Sequence, residues 1–135
     1  MNDDTVRLVR QARHAEKEQA LFYRGLAAAA EAIDDKPLAE RLNGLLADEQ
    51  HHLSRLTARL LELGFGVEDL SGTAMPPTEL SGWETIARER ELVEVARYEA
   101  LLAASLDDVT RGLIDDILTA ERNHCRELGG KWMMA

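Results

Sequence analysis

The sequence predicts an all-α protein, a four-helix bundle made of two antiparallel helical hairpins joined by one long crossover. Three observations lead there. Apolar residues recur with a 3.6-residue period in four separate segments. Only a few turn residues separate the first segment from the second, and the third from the fourth. Between the second and third lies "FGVEDLSGTAMPPTEL", with two prolines and two glycines, which reads as an extended connection.

Each element follows from local signals. The first helix is expected over about 4–30 and the second over about 37–63. The second opens at "DDKPLAERL", where Pro37 suits a first helical position. It closes at "LLELG", where Gly64 can take the left-handed stop. The third, about 82–104, opens at "SGWE", with Ser81 and Glu84 in capping-box spacing. The fourth, about 108–128, follows "SLDD" with Asp107 or Asp108 as cap and ends at "LGG". The crossover, about 64–81, holds ~17 residues and reaches roughly 50 Å when extended. A ~27-residue helix is about 40 Å long. The connection can therefore run the length of the bundle and leave the second and third helices parallel.

Composition narrows the function. The chain of 135 residues is long enough for one domain, 1–135, with its own core. Aromatics make up 4%, so the packing is aliphatic. A formal charge of -9 repels phosphates and argues against nucleic acid as a partner. The single cysteine, Cys125, excludes a disulfide framework and any four-thiolate metal site within the chain. No apolar run marks a leader or a membrane span, so no membrane partner is expected and a cytoplasmic location is.

The chemistry lies in two interruptions of the leucine stripes. "ADEQHHLSRL" places Glu49 and His52 three residues apart on one side of the second helix, among Leu42, Leu45, Leu46, Leu53, Leu56 and Leu60. "LTAERNHCREL" repeats the arrangement with Glu121 and His124, among Ile114, Ile117, Leu118, Cys125 and Leu128. The first and third helices each carry a glutamate and, two turns later, a tyrosine: Glu16 with Tyr23, and Glu91 with Tyr98. Val9, Ala12, Ala20 and Ala27 make the first of these sides apolar, and Ala87, Val95 and Leu102 the second.

Depth sharpens the pattern. Residues equidistant from a hairpin turn sit at one height, and Glu16 and the Glu49/His52 pair are symmetric about a turn near residue ~33. Glu91 and the Glu121/His124 pair are likewise symmetric about ~107. The halves also superpose in sequence, Glu16 on Glu91 and Glu49 on Glu121, which reads as a duplicated helical hairpin.

Energetics then select a metal site. A buried carboxylate without a counter-charge costs several kcal/mol, and four at one depth would force protonation or unfolding. Two divalent cations match four carboxylates, and two neutral imidazoles complete the ligand set. Oxygen-rich ligands with one imidazole each suit iron, or manganese, or a mixed pair. The alternative is a metal-free helical scaffold whose Glu and His form half-exposed ion pairs.

These residues resemble the ferritin-like superfamily and, within it, the rubrerythrin-type di-iron domain. "HAEKEQALFYRGLA" is similar to that family's first-helix motif and "LADEQHHLSRL" to its second. "ARERELVEVARY" and "LTAERNHCREL" are similar to its third and fourth, so the resemblance covers all four helices. It implies Glu16, Glu49, His52, Glu91, Glu121 and His124 as ligands of two iron ions, with Glu49 bridging and His52 terminal. It also implies a role for Glu94, since the family carries there a carboxylate that can join the metal on oxidation; the other reading pairs Glu94 with Arg90 or Arg97. Gln19 is the corresponding residue of the first half.

The implied activity is reduction of peroxide or dioxygen, with electrons from an external donor, because rubrerythrins proper add a four-cysteine domain that this sequence lacks. Iron sequestration with ferroxidase activity and hydroxylation of an organic substrate are the alternatives.

Other residues carry lesser expectations. Tyr23 and Tyr98 either hydrogen-bond the ligating carboxylates or pack in the core. His51 points ~100° from His52 and is expected at the boundary or surface. His14 is expected in solvent, and Cys125 as a small buried apolar residue. Trp132, Met133 and Met134 form an apolar tail, a candidate contact in a homodimer.

Overall fold

Four helices arise in the order α1 (Asp3–Ala32), α2 (Lys36–Glu62), α3 (Trp83–Leu102) and α4 (Asp108–Met133), with no strand among the described residues. This is the element set that a four-helix bundle requires. The computed structural model describes the backbone of residues 1–133 and the side chains of residues 1–129. None of the helices is long and apolar enough to cross a membrane.

Side chains at the helix ends explain where each element begins. Asn2 Oδ1 accepts from the Thr5 backbone N–H and hydroxyl, both at 2.8 Å, and opens α1. Asp35 accepts from the Leu38 N–H at 3.2 Å and opens α2, with Pro37 in the first turn. Asp34, in the turn before it, has φ 57°, a left-handed conformation that Asp tolerates better than most residues. α2 ends as expected at Gly64, whose φ is 84°, while the Phe65 N–H closes back on the Leu60 carbonyl at 2.9 Å. Asp107 caps α4, accepting from the Thr110 N–H at 3.1 Å and the Thr110 hydroxyl at 2.5 Å.

Two boundaries differ from expectation. Gly82, at φ 69°, immediately precedes α3, so Ser81 stands one place further out than a capping box would put it. The helix α4 continues past Gly129 to Met133. Glycine weakens a helix by ~1 kcal/mol relative to alanine but does not by itself end one. The side chains of the Trp132–Met134 tail lie outside the described residues.

By internal contacts the chain forms two units, one over Arg13–Trp83 and one made of Met1–Ala12 with the chain from Glu84 onward. In the first, α1 and α2 run antiparallel. Asn43 Nδ2 donates to Glu31 Oε1 near the turn, His52 meets Glu16 midway, and Arg13 Nε donates to Thr57 Oγ1 at 2.7 Å furthest from the turn. Arg13 also donates to the Glu68 carbonyl at 2.8 Å, which ties the crossover to the hairpin. The crossover returns to α1 at Gly25, where an added Cβ would lie 2.6 Å from Thr78 Cγ2 and 3.0 Å from Met75 Sδ. Glycine is required there by space. Phe22, Tyr23, Leu26, Leu42, Leu56 and Leu60 form the apolar filling of this unit.

The second unit has the same plan. α3 and α4 run antiparallel, with Arg111 donating to the Leu102 carbonyl at 2.8 Å near the turn and His124 meeting Glu91 further along. Ala87, Glu91, Glu94, Tyr98 and Leu101 form the buried stripe of α3, and Ile114, Ile117, Leu118 and Leu128 are buried on α4. Val95 and Leu102, expected on that stripe, are half-buried, because the 3.6-residue period turns it through Tyr98 and Leu101 instead. Leu46 and Leu53 of α2 are likewise half-buried, at the flank of their stripe.

Candidate metal centre

The glutamates and histidines that interrupt the apolar stripes are buried. Glu16, Glu49, Glu91 and Glu121 are 0% exposed, His52 is 5% and His124 4%. Helix periodicity dictates this: each pair three residues apart shares the face that buries the leucines and isoleucines. Once those faces are packed, the polar groups go in with them.

In the Arg13–Trp83 unit, Glu16, Glu49 and His52 each bring one ligand atom to within 4.8 Å of the other two. His52 Nδ1 lies 3.6 Å from Glu16 Oε1 and 4.0 Å from Glu49 Oε1. The other unit builds the same triad from Glu91, Glu121 and His124, again with ligand atoms within 4.8 Å. Its His124 Nδ1 lies 3.5 Å from Glu91 Oε1 and 3.4 Å from Glu121 Oε1.

Three of these four distances fit ligands of a common cation, and the fourth, 4.0 Å from His52 Nδ1 to Glu49 Oε1, is wider. Two donors each about 2.1 Å from one ion and 90–120° apart are separated by roughly 3.0–3.6 Å. A good N–H···O hydrogen bond is shorter, about 2.9 Å. The charges fit as well, since each triad combines two carboxylates with one imidazole and so balances one divalent cation. Buried clusters of this composition could hold metal ions, with oxygen as the majority donor.

The ionisation of the second triad shows the same demand for positive charge. Burial pushes the Glu91 carboxyl up from 4.5 to about 8; His124 pulls it back, and Glu121 pushes it further up. Burial by itself would lower His124, but the Glu121 and Glu91 carboxylates override it and hold the imidazole up to about 11. Both shifts mean that the pocket retains protons, the smallest cations available to it.

The remaining candidates distribute as follows. Glu94 is buried, 4% exposed, but it stands outside both ligand groups, and its Oε1 faces Arg97 Nε at 3.8 Å. That approach is the pairing with Arg97 expected of one of its two readings. Gln19, its counterpart in α1, is 1% exposed. Tyr23 and Tyr98 are 0% exposed, two turns beyond Glu16 and Glu91. His51 is exposed, and so is His14, which pairs with Glu18 at 3.2 Å. Cys125 is a free, buried thiol, and burial together with the charge of Glu91 pushes its pKa up, so it stays protonated. Sequence reasoning did not anticipate the depth of Gln19, although its distance of three residues from Glu16 carries that information.

The duplication extends beyond the donors. At a separation of 75 residues, Ala12 and Ala87, Tyr23 and Tyr98, and Leu26 and Leu101 occupy matching positions, buried in both copies. Leu42 and Ile114, then Leu56 and Leu128, correspond at a separation of 72. No family model, no curated protein and no solved structure matches this chain. The resemblance to rubrerythrin-type domains therefore rests on the residues themselves.

Proposed function

We propose that this protein is a di-iron carboxylate oxidoreductase of the rubrerythrin type, reducing peroxide or dioxygen with electrons from a separate donor. The observation that carries the reading is the repeated, buried triad of two carboxylates and one imidazole, Glu16/Glu49/His52 and Glu91/Glu121/His124. A pair of ferrous ions supplies two electrons, the number needed to reduce one peroxide to water.

The chain's own residues do the rest. Glu16 and Glu91 hold one ion each, and His52 and His124 cap them as neutral donors. Glu49 and Glu121, each placed one helical turn before its histidine, would supply the second carboxylate for the ion of their own triad. Tyr23 and Tyr98 support the carboxylates and help keep water out of an interior in which all four glutamates are fully buried. Glu94 stays with Arg97 rather than serving as a resident ligand, a pairing that leaves it near enough to respond when the charge of the centre changes. Iron is favoured over zinc because the donor set is rich in oxygen and has no thiolate. The working unit is a homodimer.

The test is kinetic. Protein purified without chelator and loaded anaerobically with ferrous iron is mixed with peroxide or with dioxygen, and oxidation is followed by absorbance. The reading expects rapid oxidation by peroxide, faster than by dioxygen, and its loss when His52 and His124 are both replaced by alanine. Equal slow oxidation of the native and substituted proteins contradicts it. Native mass measurement tests the dimer and separates this reading from iron storage, which needs an assembly large enough to enclose mineral.

A further inference from the structure

The two triads have the same donors but different surroundings, and we propose that they bind their cations unequally, with the Glu91/Glu121/His124 triad filling first. The inference rests on the reading of the triads as metal sites and adds an order of occupancy, set by a residue outside both donor sets.

The duplication isolates the difference. At the separation that matches Glu16 with Glu91, Arg13 matches Arg88 and Tyr23 matches Tyr98, so neither position changes residue type between the two halves. The same separation matches Gln19 with Glu94 and Phe22 with Arg97. Where α1 carries a neutral pair, α3 therefore carries an acid and a base. Gln19 and Glu94 are equally deep, 1% and 4% exposed, each one turn beyond the glutamate of its own triad.

The added acid and base do not cancel. The Arg97 side chain is 32% exposed, whereas that of Glu94 is 6% exposed, so water screens the guanidinium more than the carboxylate. The field the pair leaves in the interior is negative. A cation at Glu91, Glu121 and His124 gains from it, and a cation at Glu16, Glu49 and His52 has no such neighbour on its own helix.

Donor spacing points the same way. His124 Nδ1 stands 3.5 and 3.4 Å from its two carboxylate oxygens, whereas His52 Nδ1 stands 3.6 and 4.0 Å from its own. The tighter triad needs less rearrangement to close on an ion, and preassembly of a site raises affinity. Charge and geometry thus favour the same site, and an added buried charge of this kind separates two affinities by about tenfold or more.

The experiment is a calorimetric titration of the metal-free full chain with manganous ion under anaerobic conditions, with occupancy read in parallel by native mass spectrometry. Two resolved binding steps are expected, about tenfold or more apart. His52→Ala should remove the weaker step and keep the tighter one, and His124→Ala should do the reverse. Glu94→Gln, which changes charge and keeps shape, should weaken the tighter step and narrow the gap. Two equal steps, loss of the tighter step in His52→Ala, or an unchanged gap in Glu94→Gln overturns the order of filling. Uptake of no ion at all overturns the metal-site reading instead, so the two failures are distinct. The histidine variants test the order even if Glu94→Gln fails to fold.

Discussion

His124 Nδ1 lies 3.4 Å from Glu121 Oε1, one turn apart on the same helix and both closed off from solvent. The pair is held by backbone geometry alone, since residues three apart on a helix face the same way. What brings Glu91 to the same point, 3.5 Å away, is the antiparallel packing of α3 on α4. Local spacing thus supplies two donors of the triad and hairpin packing the third. The division recurs in the other unit, where α2 provides Glu49 and His52, and α1 provides Glu16.

A site built for a cation should burden the protein that lacks one. Burial holds the Glu91 carboxyl at about 8, well above its ordinary 4.5, so its ionised form destabilises the fold. Glu91→Gln abolishes the need to take up a proton on folding, at nearly constant shape. It should raise the stability of the metal-free protein at neutral pH by roughly 1–2 kcal/mol while weakening metal uptake. Urea denaturation of both forms, with and without manganous ion, checks the opposite signs. A variant that loses stability without metal contradicts the account.

The same shifts set a pH dependence. Glu91 is raised in the folded state from 4.5 to about 8, so the fold is favoured at low pH and loses that advantage as pH rises from 4.5 through about 8. His124 is raised from 6.5 to about 11, so its contribution is complete below 6.5 and disappears as pH rises through about 11. Both slopes have one sign. The metal-free protein should therefore unfold more easily as pH rises from about 5 to about 9, whereas metal affinity should increase over the same range because binding displaces protons. Melting curves and metal titrations at several pH values check the crossing trends.

Gly25 offers a prediction remote from the chemistry. A Cβ there would stand 2.6 Å from Thr78 Cγ2 and 2.8 Å from its hydroxyl oxygen. Thr78 is β-branched and turns poorly at χ1, so the crossover must shift to accommodate it. Gly25→Ala should cost about 1–3 kcal/mol, and Thr78→Ala in the same chain should recover most of the loss. Additive destabilisation in the double variant argues against the contact.

Removal of the α4 cap should have a smaller, local effect. Asp107 accepts from both the backbone and the hydroxyl of Thr110. Asp107→Ala should lower stability by about 1 kcal/mol, with manganous-ion stoichiometry unchanged, because the cap is far along the helix from Glu121 and His124.

Much of this was legible in the residues. The four helices, the Gly64 stop and the Asp107 cap follow from periodicity and end signals, which are local. The convergence of Glu16 on His52, and of Glu91 on His124, followed from equal distance to a turn, because a short antiparallel hairpin leaves little freedom of register. Less was legible where tertiary packing decides. Ser81 and Glu84 have the spacing of a capping box, but the left-handed Gly82 resets where α3 begins. Gly129 looked like a stop, yet α4 continues, since one glycine is a modest penalty within a packed helix. For Glu94 the spacing allows a ligand or an ion pair, and the approach of Arg97 at 3.8 Å depends on side-chain packing that spacing does not encode.

The central claim is that each buried triad holds a metal ion, and the iron content of the protein tests it most directly. Protein loaded anaerobically with ferrous iron and freed of excess metal by desalting should carry two iron atoms per chain, falling to none when His52 and His124 are both replaced by alanine. Less than one iron atom per chain in the native protein, or iron that remains bound after His52 and His124 are both replaced by alanine, would contradict it.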